Sequence, residues 1–148
     1  MSGDTYDQEY VASKISFYKS RINHENLFEL NNLIPLIESY NEILSGMNSM
    51  DYDDILINTY ELIKHDKEVR NNIKNMFDHI LVDEFQDINE YQYEVLKMIS
   101  NGNLYAVGDD DQSIYGFRGA DGKIMQRFIK EKSLCFFALS LGLDYNYL

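Results

Sequence analysis

The chain has 148 residues, 45% of them hydrophobic and 26% charged, with a formal net charge of −12. This balance suits one folded domain or two small ones and excludes a fully disordered chain. It also excludes a stand-alone protein that grips phosphate backbones by bulk positive charge. It suits a solvated acidic surface, a carboxylate metal site, or a piece of an assembly whose basic surface lies elsewhere.

The single cysteine, Cys135, rules out an internal disulfide framework or a cysteine-based zinc cage. It reads as a buried thiol in a reducing cytoplasm. No apolar run approaches the roughly 20 residues that span a bilayer. The polar, acidic start MSGDTYDQEY reads as neither a secretory signal nor a transit peptide. A cytoplasmic location without membrane partners is therefore expected.

From Tyr10 to Ile22 the apolar residues Tyr10, Val11, Ile15, Phe17, Tyr18 and Ile22 recur at helical spacing. His24 to Asn32 reads as a polar connection. Pro35 stands where a first-turn proline costs no hydrogen bond. Ile37, Tyr40, Ile43 and Leu44 mark one face of the helix it opens, and Gly46 reads as its stop. Asp51 to Lys64, DYDDILINTYELIK, starts in acid and ends in base, as the helix dipole favours. Asp66 to Met76 predicts a more charged surface helix.

The pattern changes at Asp78. His79 to Val82 is a short apolar run ending in acid, which predicts a parallel strand buried on both faces. Asn89 to Ile99 returns to helical spacing, and Leu104 to Val107 predicts a second strand. Strand, helix and strand with short connections make a βαβ unit. Asp121 to Glu131 predicts a further helix and Leu134 to Leu143 a third strand. The expected division is a helical part, residues 1–77, and an α/β part, residues 78–148.

Both predicted strands end in acid, and in open α/β sheets ligands sit beyond the carboxyl ends of strands. The first runs into Asp83-Glu84-Phe85-Gln86-Asp87, the second into Gly108-Asp109-Asp110-Asp111-Gln112. Adjacent parallel strands would gather these carboxylates in one crevice, where a cation must offset their repulsion. Magnesium is the expected ion, since it takes hard oxygen ligands and shares them with substrate phosphates. Glu84 is placed to orient water, and Gln112 to bond a phosphate oxygen or that water. Asp87, just before a helix, is alternatively a cap.

ILVDEFQD, Ile80 to Asp87, followed by VGDDDQSIYGFRGAD, Val107 to Asp121, resembles motifs II and III of the UvrD/Rep/PcrA-type superfamily 1 DNA helicases. MDYDDIL, Met50 to Leu56, is similar to the MDFDDLL segment that precedes motif II in that family. The resemblance implies a partial RecA-like (P-loop NTPase) parallel sheet in residues 78–148. It implies that residues 1–77 correspond to the end of the helical subdomain 1B. The implied activity is ATP hydrolysis that drives 3′ to 5′ translocation on single-stranded DNA and unwinding, in repair or replication. By this resemblance Asp83 would bind the magnesium of Mg-ATP, Glu84 would activate the attacking water, and Gln112 would sense the γ-phosphate. Tyr115 and Phe117 would line the DNA track, with Phe117 stacking on a base. Arg118 would couple the nucleotide site to DNA. The helix SKISFYKSRIN would offer Lys14, Lys19 and Arg21 to DNA.

Departures accompany the match. The family's phosphate loop, GxxxxGK followed by Ser or Thr, is not found in the sequence. Gly119 to Ile124 has the wrong spacing for one. Leu143 to Leu148 resembles the start of motif IV, with Leu148 where the family has arginine. The chain thus reads as an internal slice of a helicase, with negligible catalysis alone, because oriented phosphate binding supplies most of phosphoryl-transfer catalysis. An open sheet edge predicts self-association. Two alternatives remain at this point. One is a non-catalytic module that binds DNA or a partner. The other is a metal-dependent phosphohydrolase built on Asp83, Glu84, Asp87 and Asp109 to Asp111.

Overall fold

A computed structural model describes residues 7–24, 28–108 and 123–131. The described helices are α1 (Gln8–Lys19), α2 (Ile34–Gly46), α3 (Tyr52–His65), α4 (Lys67–Lys74), α5 (Glu90–Ile99) and α6 (Lys123–Lys130). The strands are β1 (Ile80–Val82) and β2 (Leu104–Ala106). The predicted third strand, Leu134 to Leu143, and Cys135 within it lie outside the described residues.

Local chemistry explains most helix starts. Asp51 and Asp54 form a reciprocal capping box on α3, each carboxylate accepting the other's backbone N–H, at 2.8 and 3.2 Å. Asp66 caps α4 by accepting from the N–H groups of Glu68 and Val69. Asn89 and Gln92 repeat the reciprocal box on α5, at 2.8 and 3.0 Å. Pro35 occupies the first turn of α2 as expected. α2 ends at Gly46, as expected. Two residues beyond it Asn48 adopts the left-handed conformation, at φ 49°. Asparagine tolerates that region because its short amide can bond locally. The expected loop from His24 to Asn32 contains the beginning of a 3-10 turn, Phe28–Leu33.

β1 and β2 are parallel neighbours, in register Ile80↔Leu104, Leu81↔Tyr105 and Val82↔Ala106. With α5 between them in sequence they form the expected βαβ unit. Entry to β1 is set by Asn103, whose amide donates to the carbonyls of Phe77 and Asp78.

Two apolar clusters hold the elements together. In one, Ile15, Leu30, Leu33 and Ile37 pack α1 against α2 and the turn before it. In the other, Leu104 and Ala106 of β2 meet Phe85, Ile88, Tyr93, Ile124, Met125 and Phe128. Helices α3 and α4 pack on α5, with the Tyr60 and Tyr91 rings edge to face at 5.2 Å. The expectation that β1 is buried on both faces is wrong. Leu81 is 77% exposed, while Ile80 and Val82 face the cluster. Among the described residues, helices cover only one face of this two-stranded sheet, so the middle residue of β1 points to solvent.

Candidate functional site

Parallel pairing brings the carboxyl ends of both strands to the same place. The Val107 N–H donates to the Val82 carbonyl at 2.8 Å, and the Phe85 N–H donates back to the Val107 carbonyl at 2.9 Å. Between those two bonds lie Asp83 and Glu84. Both residues are exposed, and Gly108, the first residue of the second acidic loop, directly follows Val107.

The turn that carries them is unusual. Glu84 adopts φ 51°, ψ 44°, a left-handed conformation, and its N–H donates to Asp83 Oδ1 at 2.9 Å. A short 3-10 turn, Phe85–Asp87, follows. Phe85 anchors it from below. This ring is fully buried, 4.7 Å from Phe128 centroid to centroid. Gln86 is also buried, and its Nε2 donates to Glu84 Oε2 at 2.6 Å.

Gly108 makes this approach possible. A Cβ there would meet Gln86 Oε1 at 2.5 Å and the Phe85 and Gln86 backbone nitrogens at 3.0 and 3.2 Å. Glycine after a buried strand permits such close backbone approach.

Asp87 does not cap α5, since Asn89 holds that position. Instead, Asp87 Oδ1 is buried without a hydrogen-bond partner among the described residues. Burial, and then the nearby Glu84 charge, push the Asp87 carboxyl above its ordinary range.

The structure therefore brings Asp83, Glu84 and Asp87 into one turn against Gly108. Gln112, Tyr115, Phe117 and Arg118 lie outside the described residues, as do Asp109 to Asp111. Sequence reasoning passed over Gln86 and Gly108 as site residues. The available signal was a glycine directly after a buried strand. The exposed carboxylates of Asp83 and Glu84 are hard oxygen donors, and one or two of these suit a magnesium ion that draws its other ligands from water and phosphate. Among the described residues no group of three or more His, Cys, Asp or Glu side chains converges as a self-sufficient cage.

The basic helix α1 departs from expectation. Lys19 is only 5% exposed. Its ammonium donates to Asp51 Oδ2 at 2.8 Å and Asp54 Oδ1 at 2.7 Å, and Tyr40 adds a hydroxyl bond to Asp51 at 3.1 Å. Lys19 is committed to joining α1, α2 and the start of α3, so it is not available to DNA. Lys14 and Arg21 lie over the Tyr10 and Phe17 rings.

Parallel strands ending in an acidic turn and a close-packed glycine define an α/β protein with a ligand-type strand end. Residues 5–133 match the UvrD/REP helicase N-terminal domain, and the chain belongs to that family. It is 41% identical over 118 residues to a probable DNA helicase II homolog of Mycoplasma capricolum, covering 78% of this chain and 16% of that protein. It is 38% identical over 116 residues to the DNA helicase II of Haemophilus influenzae, covering 77% of this chain and 15% of the relative. Over 98 residues it is 40% identical to the ATP-dependent DNA helicase PcrA of Staphylococcus epidermidis, covering 65% and 13% respectively. The chain thus spans about one-sixth or less of the curated relatives it matches. No helix among the described residues is long and apolar enough to cross a membrane.

Proposed function

We propose that this chain carries the magnesium side of the ATP site of a UvrD-type 3′ to 5′ DNA helicase, on a partial RecA-like sheet. The supporting observation is the pairing of β1 and β2 as parallel neighbours, with Asp83 and Glu84 following one strand and Gly108, following the other, packed against Phe85 and Gln86 of the same turn. Residues 78–148 are the RecA-like part in this reading, and residues 1–77 the end of the helical subdomain.

Magnesium bound with ATP would supply charge neutralisation at the phosphates. Asp83 would hold the metal, reaching it from the end of β1. Glu84 would accept a proton from the attacking water. Gln112 would contact the γ-phosphate. Tyr115, Phe117 and Arg118 would form the track for single-stranded DNA, with Phe117 offering a ring to a base. The reading includes a cytoplasmic location, negligible turnover by these 148 residues alone, and self-association through the exposed sheet edge. Neither alternative, a non-catalytic binding module or a metal-dependent phosphohydrolase, is favoured by the family to which the chain belongs.

The test uses the full chain labelled with 15N and titrated with Mn²⁺ in the presence of ATP. Paramagnetic broadening centred on Asp83, Glu84 and Gly108, and lost in Asp83→Asn, is the expected result. Broadening centred elsewhere, or unchanged by Asp83→Asn, would overturn the assignment.

A further inference from the structure

We infer that Gln86 is a positioning residue that fixes the Glu84 carboxylate, and that Gly108 sets where Gln86 stands. The inference rests on the reading of Glu84 as the group that acts on water, and adds two residues to that machinery.

An exposed glutamate at a strand end ordinarily samples several rotamers, because nothing but water competes for its oxygens. Glu84 differs in two ways. Its backbone is held in the left-handed region, which fixes the direction of its Cα–Cβ bond. Its Oε2 then accepts from the Gln86 amide at 2.6 Å. A bond from an amide to a charged carboxylate is among the stronger neutral-donor bonds. The donor is itself held: Gln86 is 3% exposed, so its amide cannot swing away into water at little cost.

Gly108 fixes the other end of that amide. Its Cα lies so close that a Cβ would stand 2.5 Å from Gln86 Oε1. The Phe85 and Gln86 backbone nitrogens at 3.0 and 3.2 Å leave the added methyl no easy retreat. The segment after β2 is thereby linked mechanically to a carboxylate in the turn after β1 through one glutamine side chain. A single methyl at position 108 would displace Gln86 and so release Glu84.

The test compares the full chain with Gln86→Met and Gly108→Ala, labelled with 13C and 15N. Methionine keeps the length and packing of the glutamine while removing the donor. In Gln86→Met the Glu84 side-chain carboxyl resonance is expected to shift and broaden. In Gly108→Ala the Gln86 side-chain amide protons are expected to exchange with water roughly tenfold faster, the loss of one charge-assisted bond. A Glu84 carboxyl resonance that stays put in Gln86→Met would overturn the positioning role, whether or not Gly108→Ala folds. Unchanged Gln86 amide exchange in a folded Gly108→Ala would overturn the link to β2. The Mn²⁺ and ATP titration of the unaltered chain reports separately on the nucleotide reading. Its failure would leave these resonance changes intact, and their failure would leave the titration intact.

Discussion

Lys19 and Asp51 are 32 positions apart in the chain and meet through a 2.8 Å ion pair. Asp54 takes the same ammonium at 2.7 Å, so the capping box of α3 also serves as the socket for a lysine from α1. Removing one member of a buried pair strands the others. Lys19→Met is therefore expected to destabilise the chain by about 3 kcal/mol, the lower end of the range for such losses, because the aspartates keep some contact with water. Urea unfolding of Lys19→Met, Asp54→Asn and the double variant measures it. The two single losses should sum to clearly more than the double loss.

The same pair fixes a pH dependence. Burial alone would raise the Asp51 carboxyl, but the bonds from Lys19 and the Asp54 N–H outweigh it and the net shift is downward. A carboxyl lowered in the fold contributes stability above its ordinary value of 3.8, lost as pH falls through the folded value. For Lys19, burial lowers the ammonium, yet the two aspartates carry the net shift upward. Its contribution is full below the ordinary 10.5 and is lost as pH rises through the folded value. Stability from this node should form a plateau between those limits. In Lys19→Met the acid limb, followed by urea midpoint against pH, should become shallower.

Phe85 and Leu81 stand four positions apart with opposite expectations. Phe85 is fully buried against Phe128 and Tyr93, so Phe85→Ala should cost about 3–5 kcal/mol. Leu81 is 77% exposed, and Leu81→Ala should change stability by no more than about 0.5 kcal/mol. Denaturant midpoints at equal slope decide both.

The uncovered face of β1 and β2 carries a prediction about association. Leu81 and Val107 present apolar surface there. Leu81→Lys should lower the apparent mass of concentrated samples in analytical ultracentrifugation, since a charge on such a face opposes pairing. Equal mass distributions for both proteins would remove this face from the account of self-association.

The Asn89 and Gln92 box starts the helix that supports both strands. Asn89→Ala should cost about 1 kcal/mol, seen as a lowered thermal midpoint, without altering the Mn²⁺ broadening at Asp83.

The helices were readable because their signals are local. Acid at the start of α3, proline in the first turn of α2 and the high charge of the α4 stretch each act within a few residues. The paired strands were readable because short apolar runs flanked a helical stretch. What escaped was decided by partners distant in sequence. Lys19 resembled a solvent-facing base because nothing near it in the chain announced Asp51 and Asp54. Leu81 looked buried because composition reports hydrophobicity, not whether a second layer lies above the strand. Asp83 and Glu84 were visible as acids at a strand end, whereas the roles argued for Gln86 and Gly108 depend on contact between two strands.

The left-handed backbone at Glu84 sets stability against the presence of a carboxylate at one position. A residue with a side chain in that region carries a conformational penalty on the order of 1–3 kcal/mol, which glycine escapes. Glu84→Gly would relax the turn, yet it would delete the carboxylate that the turn presents. Selection for heat resistance alone would therefore favour erasing this acid, and a hardier variant with glycine at that position would be expected to have exchanged its carboxylate for a comfortable bend.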